Sequence, residues 1–257
     1  MGKKEERLNQ IASLAQINKV VSYKALSDSM GVSTMTLRRD LEVLASRNVV
    51  KLIRGGAIYN QAQDNGVPSY ILQNQEEIHI EEKTLIGLKA ASLLKPNDTF
   101  MIDSGSTAFC LAKALPKDTN FTIICWALNV IQELTTKPLC NLIIGGGVYH
   151  PEAQMFEGPD GINLLRNSRA SKLFLTAGGF HETLGITCPL SYETEMKRAA
   201  IESSLTKILL IDSSKFGRVC QSYLTNVSSV DIIVTDSKIS QHYQDFIRDK
   251  GIRLILA

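Results

Sequence analysis

A chain of 257 residues is long enough for one large domain, or for a small domain joined to a larger one. With 44% hydrophobic and 21% charged residues, it has the composition of an ordinary globular protein. It has no apolar run of about 18 residues and no apolar signal-peptide core, so we expect a soluble cytoplasmic protein without a membrane span. The five cysteines are far apart, which argues against disulfides and zinc; we expect no metal and no cofactor.

The charge is unevenly distributed along the chain. Residues 1–60 hold ten Lys and Arg against five Asp and Glu, whereas the remainder holds eighteen against twenty-one. A basic N-terminal part on a slightly acidic body is typical of a small nucleic-acid-binding module joined to a domain with another task.

The N-terminal residues predict three helices. Apolar residues recur at helical spacing over about 4–17, and Val20-Val21 reads as a short extended stretch. Ser22 is placed to cap a second helix, which Gly31 ends in a left-handed turn. Ser33 is placed to cap a third helix, whose predicted inward residues are Met35, Leu37, Leu41 and Leu44.

This third helix would present polar and basic side chains in its first turns, as the second helix of a helix-turn-helix does in the DNA major groove. The segments 49–54 and 57–59, joined by Gly55-Gly56, predict a two-stranded wing beside it. The predicted DNA-binding residues are Ser33, Thr34, Thr36, Arg38 and Arg39 on the helix, and Lys51 and Arg54 on the wing. The alternative is that Arg38-Arg39-Asp40 is a solvated helix face with Arg–Asp pairs.

The run Val32-Ser33-Thr34-Met35-Thr36-Leu37-Arg38-Arg39-Asp40-Leu41, followed by Arg54-Gly55-Gly56-Ala57, resembles the N-terminal signature of the DeoR family of bacterial transcription regulators. The resemblance implies a winged helix-turn-helix that binds double-stranded operator DNA.

A polar stretch with Gly66 and Pro68 marks the domain boundary. We therefore predict a DNA-binding domain at 1–59, a linker at 60–75 and a second domain at 76–257, which opens with a helix over about 76–94. Seven apolar runs alternate with five further helical stretches, which predicts an α/β fold with a mainly parallel sheet. The predicted strands are 99–103, 121–125, 141–145, 172–177, 207–212, 231–235 and 253–256.

Ligands of such sheets bind at the carboxyl ends of the strands. Four strand ends here are polar or glycine-rich, and together they suit a small phosphorylated polyol. The predicted effector-binding residues are Asp103, Ser104, Gly105, Ser106, Thr107, Gly145, Gly146, Thr187, Glu193, Lys197, Asp212 and Lys215. The alternatives are helix capping by Ser104 or Ser106, a plain tight turn at the glycines, a surface Glu193–Lys197 pair, and a solvated Lys215.

These segments also stand in the order and spacing of the DeoR sensor domain. That resemblance implies a fold like ribose-phosphate and glucosamine-phosphate isomerases and a phosphorylated sugar that weakens operator binding. The segments Cys125–Asn129, Gly185–Cys188 and Asp212–Val219 are most similar to members that control deoxyribonucleoside catabolism, which implies deoxyribose 5-phosphate as effector. We expect a homo-oligomeric regulator, a dimer or tetramer, that is not an enzyme. The alternatives are a sugar-phosphate isomerase-like enzyme, and a regulator whose larger domain binds a protein partner.

Overall fold

The computed structural model describes residues 3–18, 20–47, 49–53, 55–59 and 71–257. The chain forms two compact units, Met1–Ser69 and Tyr70–Ala257. The predicted fold class is confirmed, because the first unit is a winged helix-turn-helix and the second is an α/β domain with a parallel sheet. Within the described ranges, no helix is both long and apolar enough to cross a bilayer.

The N-terminal unit consists of three helices and a small antiparallel sheet with the strand order β1-β3-β2. Its elements are α1 (Lys3–Asn18), β1 (Val20–Ser22), α2 (Tyr23–Met30), α3 (Thr34–Ser46), β2 (Val50–Ile53) and β3 (Gly56–Tyr59). The Ser22 hydroxyl accepts the Ala25 N–H at 3.1 Å, and Gly31 ends α2 with a φ of 63°. Both residues act as predicted: Ser22 caps the start of α2, and Gly31 ends α2 before α3 begins.

The prediction is wrong for one core residue of this unit. Leu37, Leu41 and Leu44 are buried as predicted, but Met35 is 64% exposed. The buried residues repeat every three or four positions along α3, whereas Met35 precedes Leu37 by two, which places it on nearly the opposite side of the helix.

The C-terminal unit alternates strands and helices. Its elements are α4 (Leu72–Glu77), α5 (Ile80–Ala91), β4 (Thr99–Ile102), α6 (Ser106–Ala114), β5 (Phe121–Cys125), α7 (Leu128–Leu134), β6 (Cys140–Ile144), β7 (Val148–His150), β8 (Met155–Glu157), α8 (Pro159–Asn167), β9 (Ala170–Thr176), β10 (Gly179–His181), β11 (Gly185–Cys188), α9 (Glu193–Glu202), β12 (Ser204–Leu210), β13 (Ser222–Thr225), β14 (Ile232–Thr235), α10 (Gln241–Asp249) and β15 (Arg253–Leu256).

All seven predicted strands form one parallel sheet with the order β15-β14-β12-β9-β4-β5-β6. The antiparallel pair β7–β8 and the small sheet β10-β11-β13 were not predicted. Their strands have only three or four residues, which is too short for a clear alternation of apolar and polar positions.

The predicted helix over 76–94 is two helices. His79 has a left-handed backbone with a φ of 56°, which ends the helical path between α4 and α5. The predicted linker at 60–75 covers residues 60–70, which lie outside the described residues, and then enters α4, so its last residues are helical.

Helices cover both faces of the seven-stranded sheet. On one face, Phe100 and Phe174 pack against residues of α5, α6 and α7; on the other, Met101 and Leu173 pack against residues of α8, α9 and α10. The helices α5 and α6 approach each other closely at Gly87, where a Cβ would lie 2.6 Å from the carbonyl carbon of Cys110. This contact holds α5 firmly against its neighbour.

Replacing Gly87 by alanine should therefore destabilise the protein, because the added Cβ would collide with backbone that no side-chain rotation can relieve. We expect a loss of about 1–3 kcal/mol in the free energy of unfolding, measured by chemical denaturation followed by circular dichroism. Leu88→Ala, at an exposed position of the same helix, should change the free energy by less than about 0.5 kcal/mol. Equal stability of the two variants would contradict the close contact.

Candidate functional site

The exposed face of α3 carries the predicted DNA-binding residues. Thr34, Arg38 and Arg39 are exposed, and Thr36 is half-buried. Arg38 forms an ion pair with Glu42, one turn along the helix, at 3.6 Å. Arg39 has no ion pair with any residue that the structure describes. The Arg39 guanidinium is thus free, and that of Arg38 is held only by an exposed ion pair, which contributes little stability.

Two of the predicted residues have a structural role at the start of this helix. The Ser33 hydroxyl accepts the Thr36 N–H at 3.3 Å and lies 3.0 Å from the Thr36 hydroxyl. Ser33 therefore caps α3, and the hydroxyls of Ser33 and Thr36 form a hydrogen bond with each other.

Asp40 is a residue whose function the sequence did not reveal. It is buried, and Arg7 of α1 donates to its two carboxylate oxygens at 2.6 and 3.3 Å. The pair raises the pKa of Arg7. The Arg–Asp alternative is therefore wrong in its detail, because Asp40 pairs with α1 and leaves the two arginines of its own helix at the surface. A buried Asp in an otherwise apolar stripe is the signal that could have predicted this pairing.

The wing is present as predicted. Strands β2 and β3 pair antiparallel, with Lys51 opposite Ile58 and Ile53 opposite Gly56. Lys51 is exposed. The other predicted wing residue, Arg54, lies outside the described residues. The assignment of all seven residues to DNA contacts stays a prediction.

In the C-terminal unit, three neighbouring strands bring polar residues to one edge of the sheet. Strands β4, β9 and β12 are adjacent and parallel, so Asp103, Thr176 and Asp212 follow or end them on the same side. Asp103 accepts the backbone N–H and the hydroxyl of Thr176 at 2.9 and 3.1 Å. Thr176 is a site residue that the sequence analysis missed, although it lies within a predicted strand.

The segment Asp103–Thr107 is a tight turn into α6. Gly105 has a φ of 107°, which only glycine adopts readily, and a Cβ there would lie 3.1 Å from the Thr176 hydroxyl oxygen. Gly105 itself precedes the helix, and no side chain caps α6. The capping alternative for Ser104 and Ser106 is therefore wrong, and the first N–H groups of α6 have no side-chain acceptor, which suits them to an anion.

Glu193 and Lys197 are buried and belong to a three-residue ionic cluster with Asp103. The Lys197 ammonium lies 2.9 Å from Asp103 Oδ2 and 2.9 Å from Glu193 Oε2, and it donates to the Thr176 carbonyl at 3.1 Å. The surface-pair alternative is wrong. All three ammonium protons have acceptors, so Lys197 has no donor left for a ligand in this arrangement.

The pKa of Lys197 follows from this geometry. Burial alone would lower the pKa, but the negative charges of Asp103 and Glu193 outweigh it and hold the Lys197 pKa well above its usual value. Lys197 is therefore a permanent cation that links β4, β9 and α9.

Lys83 and Lys215 stand in contrast to Lys197. Lys83, which the sequence analysis missed, is 1% exposed and donates to the Gln75 carbonyl at 2.5 Å. Lys215 is 9% exposed, and no residue that the structure describes accepts a hydrogen bond from its ammonium. Burial lowers the pKa of both lysines, and the nearby charge of Lys215 adds to the effect on Lys83. The sequence signal for Lys83 is its place on the buried stripe of α5, three residues before Ile86.

Asp212 lies near these two lysines, and its charge partly offsets the effect of burial on both. One of its carboxylate oxygens accepts the Ser214 N–H at 3.1 Å and also the Ser214 hydroxyl. The other, Oδ2, is buried without a hydrogen-bond donor in the described chain. Two buried cations and an unpaired carboxylate oxygen thus share one end of β12.

Gly145, Gly146 and Thr187, which were also predicted, lie outside β4, β9 and β12. Gly145 and Gly146 follow β6, which is the edge strand four positions from β12, and Gly146 is exposed. Thr187 is buried; its hydroxyl accepts the Cys220 N–H at 2.9 Å and contacts the Gly179 carbonyl at 3.4 Å, so it joins the strands of the small sheet. A role of these three residues in effector binding stays a prediction.

Comparison with known proteins places these features in a family. Residues 7–63 match the DeoR-like helix-turn-helix domain, and residues 78–237 match the DeoR C terminal sensor domain. The HTH-type transcriptional regulator GolR of Listeria innocua is 32% identical over 254 residues, which are 98% of each chain. The deoxyribose operon repressor of Escherichia coli K12 is 28% identical over 253 residues, again 98% of each chain.

Among solved structures, ribose 5-phosphate isomerase A of Neisseria gonorrhoeae has a TM-score of 0.40 at 15% identity and covers 52% of each chain. That score is too low to carry a conclusion. The two family domains and the full-length relatives suffice: the chain belongs to the DeoR family of DNA-binding transcriptional regulators, as its sequence predicted.

Proposed function

We propose that this regulator represses a sugar or nucleoside catabolic operon and leaves its operator when residues 76–257 bind a phosphorylated sugar. The observation that carries the proposal is the end of β12, where buried Lys83 and Lys215 have no ion pair with any carboxylate that the structure describes. Burying a cation that has no ion pair costs free energy, which a bound dianion would recover.

The phosphate group is proposed to lie against Lys215 and Lys83. Lysine ammonium groups hold phosphate as point charges, and a bound phosphate would restore the lowered pKa of both side chains. The uncapped N–H groups at the start of α6, preceded by Ser104 and Gly105, would supply further donors two strands away.

The sugar is proposed to bind through Asp212. Its Oδ2 is a buried acceptor without a donor, and a sugar hydroxyl would satisfy it. A phosphate would not, because its oxygens are acceptors and would be repelled by the carboxylate. The proposed site would therefore distinguish two ends of a ligand, one anionic and one hydroxylated.

The DNA-binding half of the proposal uses Thr34, Arg38 and Arg39 for base edges, and Ser33, Thr36, Lys51 and Arg54 for the start of the helix and the DNA backbone. We propose a homo-oligomer, a dimer or tetramer, in which two copies of α3 bind two half-sites about one helical turn apart or a multiple of it. The effector would shift the equilibrium between a DNA-binding and a released state by its difference in affinity for the two, typically about 1–3 kcal/mol.

The effector is best identified by thermal stabilisation of the full-length protein with a panel of sugar phosphates and their free sugars. Deoxyribose 5-phosphate is tested first, because one relative is a deoxyribose operon repressor. A ligand at about 100 times its dissociation constant stabilises by about 2.7 kcal/mol. A response to a phosphate but not to its free sugar supports the proposal, and recovery of that phosphate unchanged opposes catalysis. No response to any phosphate would favour a protein partner.

Lys215→Met should prevent the effector from releasing the protein from its operator. The affinity for the operator in the absence of effector should not change. The loss of one charge-assisted contact should weaken effector binding about 10- to 100-fold, and Lys83→Met should do the same. The measurement is calorimetric titration of the stabilising phosphate, followed by operator release in a fluorescence anisotropy assay. Lys89→Met, at an exposed position of α5, is the matched control. If the effector still released Lys215→Met from the operator as it does wild type, the phosphate would not bind at Lys215.

Lys197→Met should act differently, on stability. It would leave Asp103 and Glu193 buried without their cation, which costs about 3–5 kcal/mol in the free energy of unfolding. Denaturation of the full chain measures this, with Glu202→Gln, exposed on the same helix, as control. A Lys197→Met protein of normal stability that no longer bound effector would instead show that Lys197 contacts the ligand.

Arg38→Ala and Arg39→Ala should each weaken operator binding by about tenfold or more, since a good base contact is worth about 1–3 kcal/mol. Effector affinity should not change. Glu42→Ala is the informative partner variant: it frees Arg38 and removes a negative charge from the DNA-facing side, so it should strengthen binding to DNA of any sequence. Anisotropy titrations at fixed salt measure all three. Unaltered operator affinity in both arginine variants would refute the assignment of α3.

A further inference from the structure

Met35 is an apolar side chain on the surface that α3 presents to DNA. It is 64% exposed, while the other exposed positions of the described part of α3 are polar or charged. The hydrophobic cores of the two units do not include it. Its side chain therefore adds nothing to the hydrophobic core of the N-terminal unit and is available for a contact outside it.

The helical repeat places Met35 between the two arginines. Arg38 and Arg39 follow it by three and four positions, so they lie one turn along the helix and on either side of it. Helical side chains lean toward the N-terminus of their helix. Met35 consequently stands ahead of both guanidinium groups, at the end of α3 that enters the major groove first in helix-turn-helix proteins.

We propose that Met35 reads sequence by contacting the 5-methyl group of a thymine in each operator half-site. The inference depends on the proposed placement of α3 in the major groove. That groove presents hydrogen-bonding groups and a single apolar one, the thymine methyl. A methionine thioether is flexible and polarisable enough to cover this methyl closely. Arg38 and Arg39, one turn further along, would hold the adjacent base edges or phosphates.

This contact would provide specificity with little effect on binding to other sequences. Removing the methyl group of thymine leaves the base pair and its hydrogen bonds intact, so it isolates the apolar contact. Burial of one methyl-sized group predicts a weakening of about three- to tenfold.

The test begins with selection of a preferred duplex from a randomised DNA pool by the full-length wild-type protein. Each thymine of the selected duplex is then replaced in turn by 2′-deoxyuridine, and dissociation constants are measured at fixed salt for wild type and Met35→Ala. We expect one thymine per half-site whose replacement weakens wild-type binding about three- to tenfold. Met35→Ala should bind the thymine duplex more weakly by a similar factor and should not distinguish thymine from deoxyuridine there.

Met35→Leu and Met35→Gln are the matched variants. Leucine keeps an apolar surface and should keep the discrimination, whereas glutamine has nearly the same length but is polar and should lose it. Thermal unfolding should be unchanged in all three variants, because the position is exposed. Full discrimination by Met35→Ala, or a wild type insensitive to every methyl deletion, would overturn the proposal. If Arg38→Ala and Arg39→Ala also bound normally, the placement of α3 would fail with it; if they bound weakly, only the role of Met35 would fail.

Discussion

The parallel alignment of β4, β9 and β12 is the constraint on which the C-terminal domain depends. Parallel strands end on the same side of a sheet, so three segments distant in sequence deliver Asp103, Thr176 and Asp212 to a single edge. Lys197 then joins the first two strands to α9 through fully satisfied contacts. Because hydrophobic cores cover both faces of the sheet, these polar groups are buried at its carboxyl end.

Three buried lysines near this end of the sheet have different electrostatic surroundings. Lys197 faces two carboxylates and belongs to the framework. Lys83 and Lys215 have no ion pair with a carboxylate that the structure describes, and burial lowers their pKa, although the charge of Asp212 acts on both and that of Glu76 on Lys83. In a medium of low polarity, a cation without an ion pair raises the free energy of the folded protein. Under the proposed function, an anionic ligand would offset this cost, and the free energy of its binding would be available to shift a conformational equilibrium.

The N-terminal domain follows a similar division between framework and surface. Leu37, Leu41 and the Arg7–Asp40 pair fix one side of α3 against α1. Once that side is fixed, the helical repeat determines which side chains remain outside. Arg38, Arg39 and Met35 are exposed because the apolar stripe and the buried aspartate occupy the other side.

Local signals in the sequence predict the family, the winged helix-turn-helix and all seven strands of the large sheet, because apolar runs, helix caps and glycine turns depend on neighbouring residues. The sequence also predicted most of the polar strand ends. Which of these residues meet depends on the tertiary structure. Lys83 lies on a helix more than a hundred residues before Lys215, and Gly145, although it resembles the other strand ends, follows an edge strand far across the sheet. Strand order, and with it the pairing of buried charges, depends on long-range packing that no local pattern records.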